Sequence, residues 1–264
     1  MKQNHLVSIS LGLVLAFGSA GLSQAEDLFQ YLDFKSDQFT KSDMTREDVA
    51  AAIASAGGSV VDLSGKRLNN LDLSGLDLSK TKLEGAYING TNFTGSNLNG
   101  VKLNKAWALK ANFSNATFKG ASLIETEMMD GICDGADFSG ARVAANMSRA
   151  SLLKARFDAA DLAAHGRGLL NHGVFTSAKL DGASFKAANL ARAVFEFASL
   201  READFAGANL SGSALAGADM TGANVAGANF NDADVNSTKL ISLRGPDVML
   251  IIGKARNLEQ ALRD

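Results

Sequence analysis

From Leu63 onward an apolar residue recurs every five positions, through Leu68, Leu73, Leu78, Leu83, Ile88, Phe93, Leu98 and Leu103 to Val143. The phase then slips by one residue to give Met147, Leu152, Phe157 and Leu162. After three extra residues it resumes at Leu170 and runs through Phe175, Leu180 and Phe185 to Leu240. This reading yields 36 pentads with an apolar centre in each, 27 of them Leu or Phe. Neither the helical nor the strand period repeats at five, so ordinary amphipathic elements are excluded. Two residues before the centre stands a small side chain, Ala in 22 of the 36 pentads, and the residue between is often Asp or Asn, as in Asp204, Asn209, Asp219 and Asn224. A chain that turns a corner every five residues closes a square after twenty. Large and small side chains then fill a narrow interior, and the other three positions face water.

Composition agrees with a packed column. The chain has 46% hydrophobic residues, 26 Gly, one Pro and one Cys, which excludes a disulfide scaffold, collagen and disorder. Pro246 appears only after the last pentad, as expected where each coil needs its backbone donors. A formal net charge of −2 provides no basic footprint for nucleic acid.

The pentads, Ala-Asn-Leu-Ser-Gly and Ala-Asp-Phe-Ala-Gly among them, resemble the pentapeptide-repeat family over about residues 58–242. The resemblance implies an all-β fold, a right-handed quadrilateral β-helix. At four pentads per coil the count predicts about nine coils, a rod roughly 40 Å long at the spacing of paired strands. Sorting the centres in fours stacks Phe118, Phe138 and Phe157 on one side, and places Phe93 on Phe113 and Phe175 on Phe195 on another.

Repeat stacks need caps at their ends. Residues 26–57 read as an N-terminal helical cap: a lead-in with Leu28, Phe29, Tyr31, Leu32 and Phe34, then a helix with Thr45 as N-cap and Gly57-Gly58 as its stop. Residues 243–264 read as a C-terminal helical cap, from the helical spacing of Val248, Ile251, Ile252, Ala255, Leu258 and Leu262 after Asp247. Residues 1–25 read as a secretory signal peptide. Lys2 precedes an apolar stretch from Leu6 to Ala20, with small residues at Ser23 and Ala25 before Glu26-Asp27. The mature chain, with 25 basic and 28 acidic residues, is expected in the periplasm or outside the cell, with no stable membrane span.

Candidate chemistry is sparse. His165 and His172 flank the interruption after Leu162, and Asp161 is their one acidic neighbour in sequence, short of a metal ligand set. Cys133 is a pentad centre and points inward. Asp204, Asp219 and Asp234 sit where carboxylates serve corners. No nucleotide, nucleophile-elbow or zincin motif occurs, so neither an enzyme nor a cofactor is expected. Apolar residues at outward positions are the stronger signal: Tyr87 and Trp107 on one side with Met129 nearby, and Val174, Val194 and Phe197 on another. They are either covered by the terminal segments or form a partner site. The leading expectation is a rigid, non-catalytic module that binds a protein partner. The resemblance also brings a DNA-mimicking protector or inhibitor of type II topoisomerases, which the export signal and weak charge disfavour. A ligand binder at the His165–His172 loop is the third reading.

Overall fold

The computed structural model describes residues 32–163 and 172–264. The proposed signal peptide, Leu28, Phe29 and Tyr31 of the lead-in, and His165 lie outside them. In each pentad centred on a described residue the centre points inward and is buried, from Leu63 through Cys133 to Leu240. The residue before it points outward and pairs in parallel one coil later: Tyr87 with Trp107, Asn92 with Asn112, Asn97 with Thr117, and Lys102 with Ser122. Those four pairings are the four sides of the coil. The N–H of Phe93 donates forward to the Asn112 carbonyl at 2.6 Å, and the N–H of Asn112 donates back to Thr91 at 2.9 Å. Pairing is so interrupted by corners that regular strands are few and two residues long: β1 (Val61–Asp62) with β2 (Thr81–Lys82), and β3 (Lys239–Leu240) with β4 (Leu262–Arg263).

The corners follow one design. The second residue after the centre takes a left-handed φ, as in Gly120 at 65°, and the next N–H donates back to the centre's carbonyl, Ala121 to Phe118 at 2.9 Å; this is a type II turn. The Asp or Asn before the centre caps the corner, as Asp72 Oδ1 does by accepting the Ser74 N–H at 3.0 Å. Where Asn follows one coil later its amide donates to the same oxygen, Asn92 to Asp72 at 3.0 Å and Asn224 to Asp204 at 2.9 Å.

These caps tie stability to pH. The hydroxyl and N–H of Ser64, Ser74 and Ser79 hold the carboxyls of Asp62, Asp72 and Asp77 below the ordinary value of 3.8. At Asp137 and Asp219 burial pushes upward, but hydrogen bonds from Ser139 and Thr221 outweigh it and the carboxyls are again lowered. A folded-state value below the unfolded one stabilises at any pH above the unfolded value, and the gain vanishes as pH falls through the folded value. The stability these caps contribute, read as the difference in thermal midpoint by circular dichroism from a chain lacking them, should therefore be level down to about pH 4 and fall below it. Replacing Asp62, Asp72 and Asp77 with Asn, which already fills the equivalent place at Asn92 and Asn97, should make that fall shallower.

Inside, Phe118, Phe138, Phe157, Phe185 and Phe205 form one stack with centroids 4.6–5.1 Å apart. Phe93 stacks on Phe113 at 4.9 Å and Phe175 on Phe195 at 5.0 Å. The small positions are equally filled. Thr126 and Thr238 return their hydroxyls to carbonyls of the preceding coil, Leu103 at 2.9 Å and Leu215 at 2.8 Å. Ser213 is the exception, with a buried hydroxyl that has no partner. Ser213→Ala should raise the free energy of urea unfolding by about 1 kcal/mol; a loss of stability would mean that the hydroxyl is bonded.

The interruptions change the register. Paired residues are 20 apart in regular coils, 19 apart across the missing residue (Glu127 with Asn146), and 28 apart across the insertion (Asn146 with Val174). Asp161 and Val174 thus occupy successive sides, and the insertion is eight residues long rather than three. Leu170 lies five residues before Phe175, so the apolar spacing continues through the insertion, but the side assigned to Leu170 is held by Val174 and Phe175. Everything after the insertion moves round by one side. Val174 and Val194 therefore share a side with Tyr87 and Trp107, and the Phe175–Phe195 stack stands on a different side from Phe93–Phe113.

At the N-terminal end, α1 (Asp37–Thr40) precedes α2 (Arg46–Ser55), whose Thr45 and Asp48 form a reciprocal capping box. Val49 of α2 is buried and, with Met44 and Ile53, closes the first coil. The C-terminal helix is shorter than its apolar spacing suggests. Only α3 (Val248–Ile252) is α-helical, burying Ile252, and the chain then rejoins the column with one short 3-10 turn at Leu258–Gln260. Arg256 pairs with Asp234, and β4 pairs with β3. Asn257, at φ 61°, separates α3 from the single 3-10 turn after it, and the open edge of the last coil offers donors and acceptors that a strand satisfies and a helix leaves bare. None of the described helices is long and apolar enough to cross a membrane.

Candidate functional site

The Trp107 side carries Tyr87, Trp107, Val174 and Val194, with Met129 and Phe197 at its adjoining corner, and three stretches of it differ in character. Along it run Arg67, Tyr87, Trp107, Glu127, Asn146, Val174, Val194, Ala214, Asp234 and Arg256, each paired to the next.

The first stretch is covered. Phe39 of α1 is buried with its ring edge-on to Tyr87 at 5.8 Å and to Trp107 at 5.3 Å, and Phe34 meets Phe39 at 5.1 Å. Polar groups hold this lid down. Gln38 Nε2 donates to the Tyr87 hydroxyl, and Asn69 Nδ2 donates to the carbonyls of Gln38 and Lys41 at 3.0 and 2.8 Å. Asp43 receives the Arg67 guanidinium and N–H, so its carboxyl is held low. Tyr87 and Trp107 are half-buried under Phe39 of the chain's own N-terminal segment. The Met129 side chain is also half-buried, and its carbonyl accepts the Lys110 N–H at 3.0 Å.

The middle stretch centres on Glu127. Its outward position predicts exposure, yet it is 4% exposed, and burial pushes its carboxyl up to about 7 against the pull of the Asn146 amide. Asn146 Nδ2 donates to Glu127 Oε2 at 3.0 Å, while its oxygen accepts from the Ser148 N–H and hydroxyl, which fixes the amide's direction. Sequence reasoning missed Glu127, since nothing local distinguishes it from an exposed acid.

The far stretch is apolar. Val174 and Val194 are half-buried, Ala214 continues the strip, and Phe197 stands at the adjoining corner, 65% exposed with φ 57°. Its ring lies over Gly217 one coil on, where a Cβ would come within 2.6 Å of a ring carbon. Burial, then the charge of Asp234, raises the neighbouring Glu196 carboxyl.

The remaining candidates have structural engagements. Cys133 is fully buried, and desolvation drives its thiol upward, away from reactivity. Asp204, Asp219 and Asp234 accept the N–H two residues on at 3.0–3.1 Å and so cap corners. Asp161 is engaged by Arg142 and by the Asn189 amide, and burial lowers the pKa of His172. No group of three or more metal-ligating side chains occurs among the described residues. Met249 and Leu250 of α3 are exposed apolar residues.

A family model described as pentapeptide repeats matches eight copies, at residues 61–95, 96–130, 109–143, 174–206 and 198–240. A search of curated proteins found no match. Among solved structures the chain is similar to HetL, a pentapeptide repeat protein involved in heterocyst differentiation regulation in the cyanobacterium Nostoc sp. strain PCC 7120. The two are 24% identical over 83% of this chain and 96% of that one, with a TM-score of 0.32. It is also similar to QnrB1, a plasmid-mediated fluoroquinolone resistance protein, at 17% identity over 78% and 92% of the two chains and a TM-score of 0.40. A third is a pentapeptide repeat protein of the Arabidopsis thaliana thylakoid lumen, 23% identical over 63% and 70%, with a TM-score of 0.15. The matched repeats span more than half of the chain, and their five-residue units are the units of the coil: the chain belongs to the pentapeptide-repeat family, whose fold is the right-handed quadrilateral β-helix.

Proposed function

We propose that this chain is a non-catalytic interaction module, exported to the periplasm or beyond the cell, that offers the Trp107 side of a stiff column to a protein partner. The observation that carries this reading is Phe197. A bulky residue in the left-handed region costs about 1 kcal/mol or more, and the same corner one coil later is Gly217, which takes φ 69° freely. The same left-handed corner recurs at Lys105, Arg192 and Glu202; what sets Phe197 apart is a ring 65% exposed beside an apolar strip, which fits a recognition residue. The family supports the lack of catalysis, its members being generally non-enzymatic structural repeat proteins. Export rests on Lys2, the apolar stretch Leu6–Ala20 and the small residues Ser23 and Ala25.

Phe197→Gly separates the two roles. Relief of the left-handed strain should raise stability by roughly 0.5–1 kcal/mol in urea unfolding, while capture of a partner from the envelope fraction should drop at least about tenfold, the loss of a typical aromatic anchor. Unchanged capture would remove Phe197 from the site. Cell fractionation with mass analysis of the N-terminus tests the location: a chain processed after Ala25 and found outside the cytoplasm supports export, and an unprocessed cytoplasmic chain contradicts it.

A further inference from the structure

We propose that the Lys102 side binds an extended acidic polysaccharide, laid along the column across Lys82 and Lys102. The ladders themselves mark the place. Where two charged residues are paired one coil apart, the charges are opposite: Asp62 with Lys82, Asp137 with Arg156, Arg142 with Asp161, Asp219 with Lys239 and Asp234 with Arg256. Lys82 with Lys102 is the single like-charged pair among the described residues. Like charges directly opposed across strands are unfavourable, so the fold gains nothing from this pairing.

Nothing nearby neutralises the two lysines. Lys80, Lys82 and Lys102 are exposed and form no ion pair with a described residue. The acids that feel Lys82 and Lys80 serve corners instead: Asp62 accepts the Ser64 N–H at 3.0 Å, and Asp77 accepts the Ser79 N–H at 3.0 Å and the Asn97 amide at 2.9 Å. From Lys82 the strip runs three rungs through Lys102 and Ser122 to Arg142, about 14 Å at the usual strand spacing, and Asp62 and Asp161 close its two ends. This outline selects the ligand. A membrane plane would press Asp62, Asp161 and the corner residue Glu84 against anionic headgroups along with the lysines. A nucleic acid single strand needs aromatic platforms for its bases, and the described outward residues of this side include none. A polymer of acidic sugars is one chain wide and bears a carboxylate per ring, a repeat close to one rung. Lysine, a point charge on a flexible stem, accepts such a group without a fixed geometry. The strip lies on a different side from the protein surface proposed above and does not rest on it.

The test titrates fluorescein-labelled polygalacturonate with the full chain and reads anisotropy over a range of salt. Binding should saturate at low salt and weaken as salt rises, because each contact releases a bound counterion. Lys82→Gln with Lys102→Gln should weaken it at least about tenfold and reduce the slope of log affinity against log salt by about 1.5. Lys179→Gln, at an exposed lysine of the Asn112 side, should leave both unchanged. Absence of saturable binding would overturn the strip, and so would an equal loss with Lys179→Gln, since net charge alone would then account for the affinity. Phosphatidylglycerol vesicles and a single-stranded oligonucleotide serve as competitors. Displacement by either at a lower concentration of charge than unlabelled polygalacturonate requires would overturn the polysaccharide and give the lysines to that ligand. As an independent readout, Lys102→Gln alone should raise the midpoint of urea unfolding, because the opposed charge is gone. A lower midpoint would make Lys102 a structural contact and overturn the proposal as well.

Discussion

Phe157→Ala should lower the unfolding free energy by about 3–5 kcal/mol, the upper range for deleting a buried ring. Phe157 is the middle ring of the five-membered stack, 4.8 Å from Phe138 and 5.0 Å from Phe185, and it meets Phe175 edge-on at 5.8 Å across the corner. Every neighbour is fully buried and fixed by its own coil, so the cavity has no flexible wall to collapse it. Its place adds to the effect, because the stack here crosses the insertion, where the Phe157 N–H bonds to Ser184 at 2.7 Å. Loss of the ring weakens the junction between the two halves of the column, and in a repeat stack stability depends on such nearest-neighbour interfaces. Urea unfolding should show a lower midpoint. A loss below about 1 kcal/mol, the scale of a surface change, would contradict this packing.

Phe39→Asp should strip the lid from the first stretch of the Trp107 side. Phe39 is 8% exposed between two aromatic rings, and a carboxylate there loses apolar burial and gains a desolvation cost. The damage should remain local, since Asp43–Arg67 and the α2 cap still anchor the chain behind it. Trp107 is the only tryptophan, so its fluorescence reports this site alone. Its emission should move to longer wavelength and acrylamide quenching should rise severalfold, with the column's own unfolding midpoint nearly unchanged. Unaltered quenching would mean that Phe39 does not cover the indole.

Legibility of the fold in the sequence followed the range of the interactions. A pentad is a local unit. Its centre, its small residue, its Asx-capped corner and its left-handed last position are each demanded by the same five residues, so the centres and the corner role of Asp204 are readable from the chain alone. The Thr45 cap is local in the same way. What failed was decided between coils. The true length of the insertion is set by the pairing of Asn146 with Val174, and the fortuitous spacing of Leu170 before Phe175 hid it. That one error moved Val174, Val194 and Phe197 to the wrong side, away from the Trp107 ladder they extend. The C-terminal segment has helical apolar spacing through Leu262, but the open edge of the last coil outbid it after Ile252. Likewise, the sequence signals Tyr87 and Trp107 as outward aromatics, and only the fold brings Phe39 onto them. Glu127 left no signal, because its burial depends on what lies across the side rather than on its neighbours in the chain.

Backbone nuclear Overhauser contacts along the Trp107 side test the winding most directly. The account predicts neighbours 20 residues apart at Tyr87 and Trp107, 19 at Glu127 and Asn146, and 28 at Asn146 and Val174. Contacts placing Asn146 beside Leu169, as a three-residue insertion requires, or spacings that fit no four-sided coil, would contradict it.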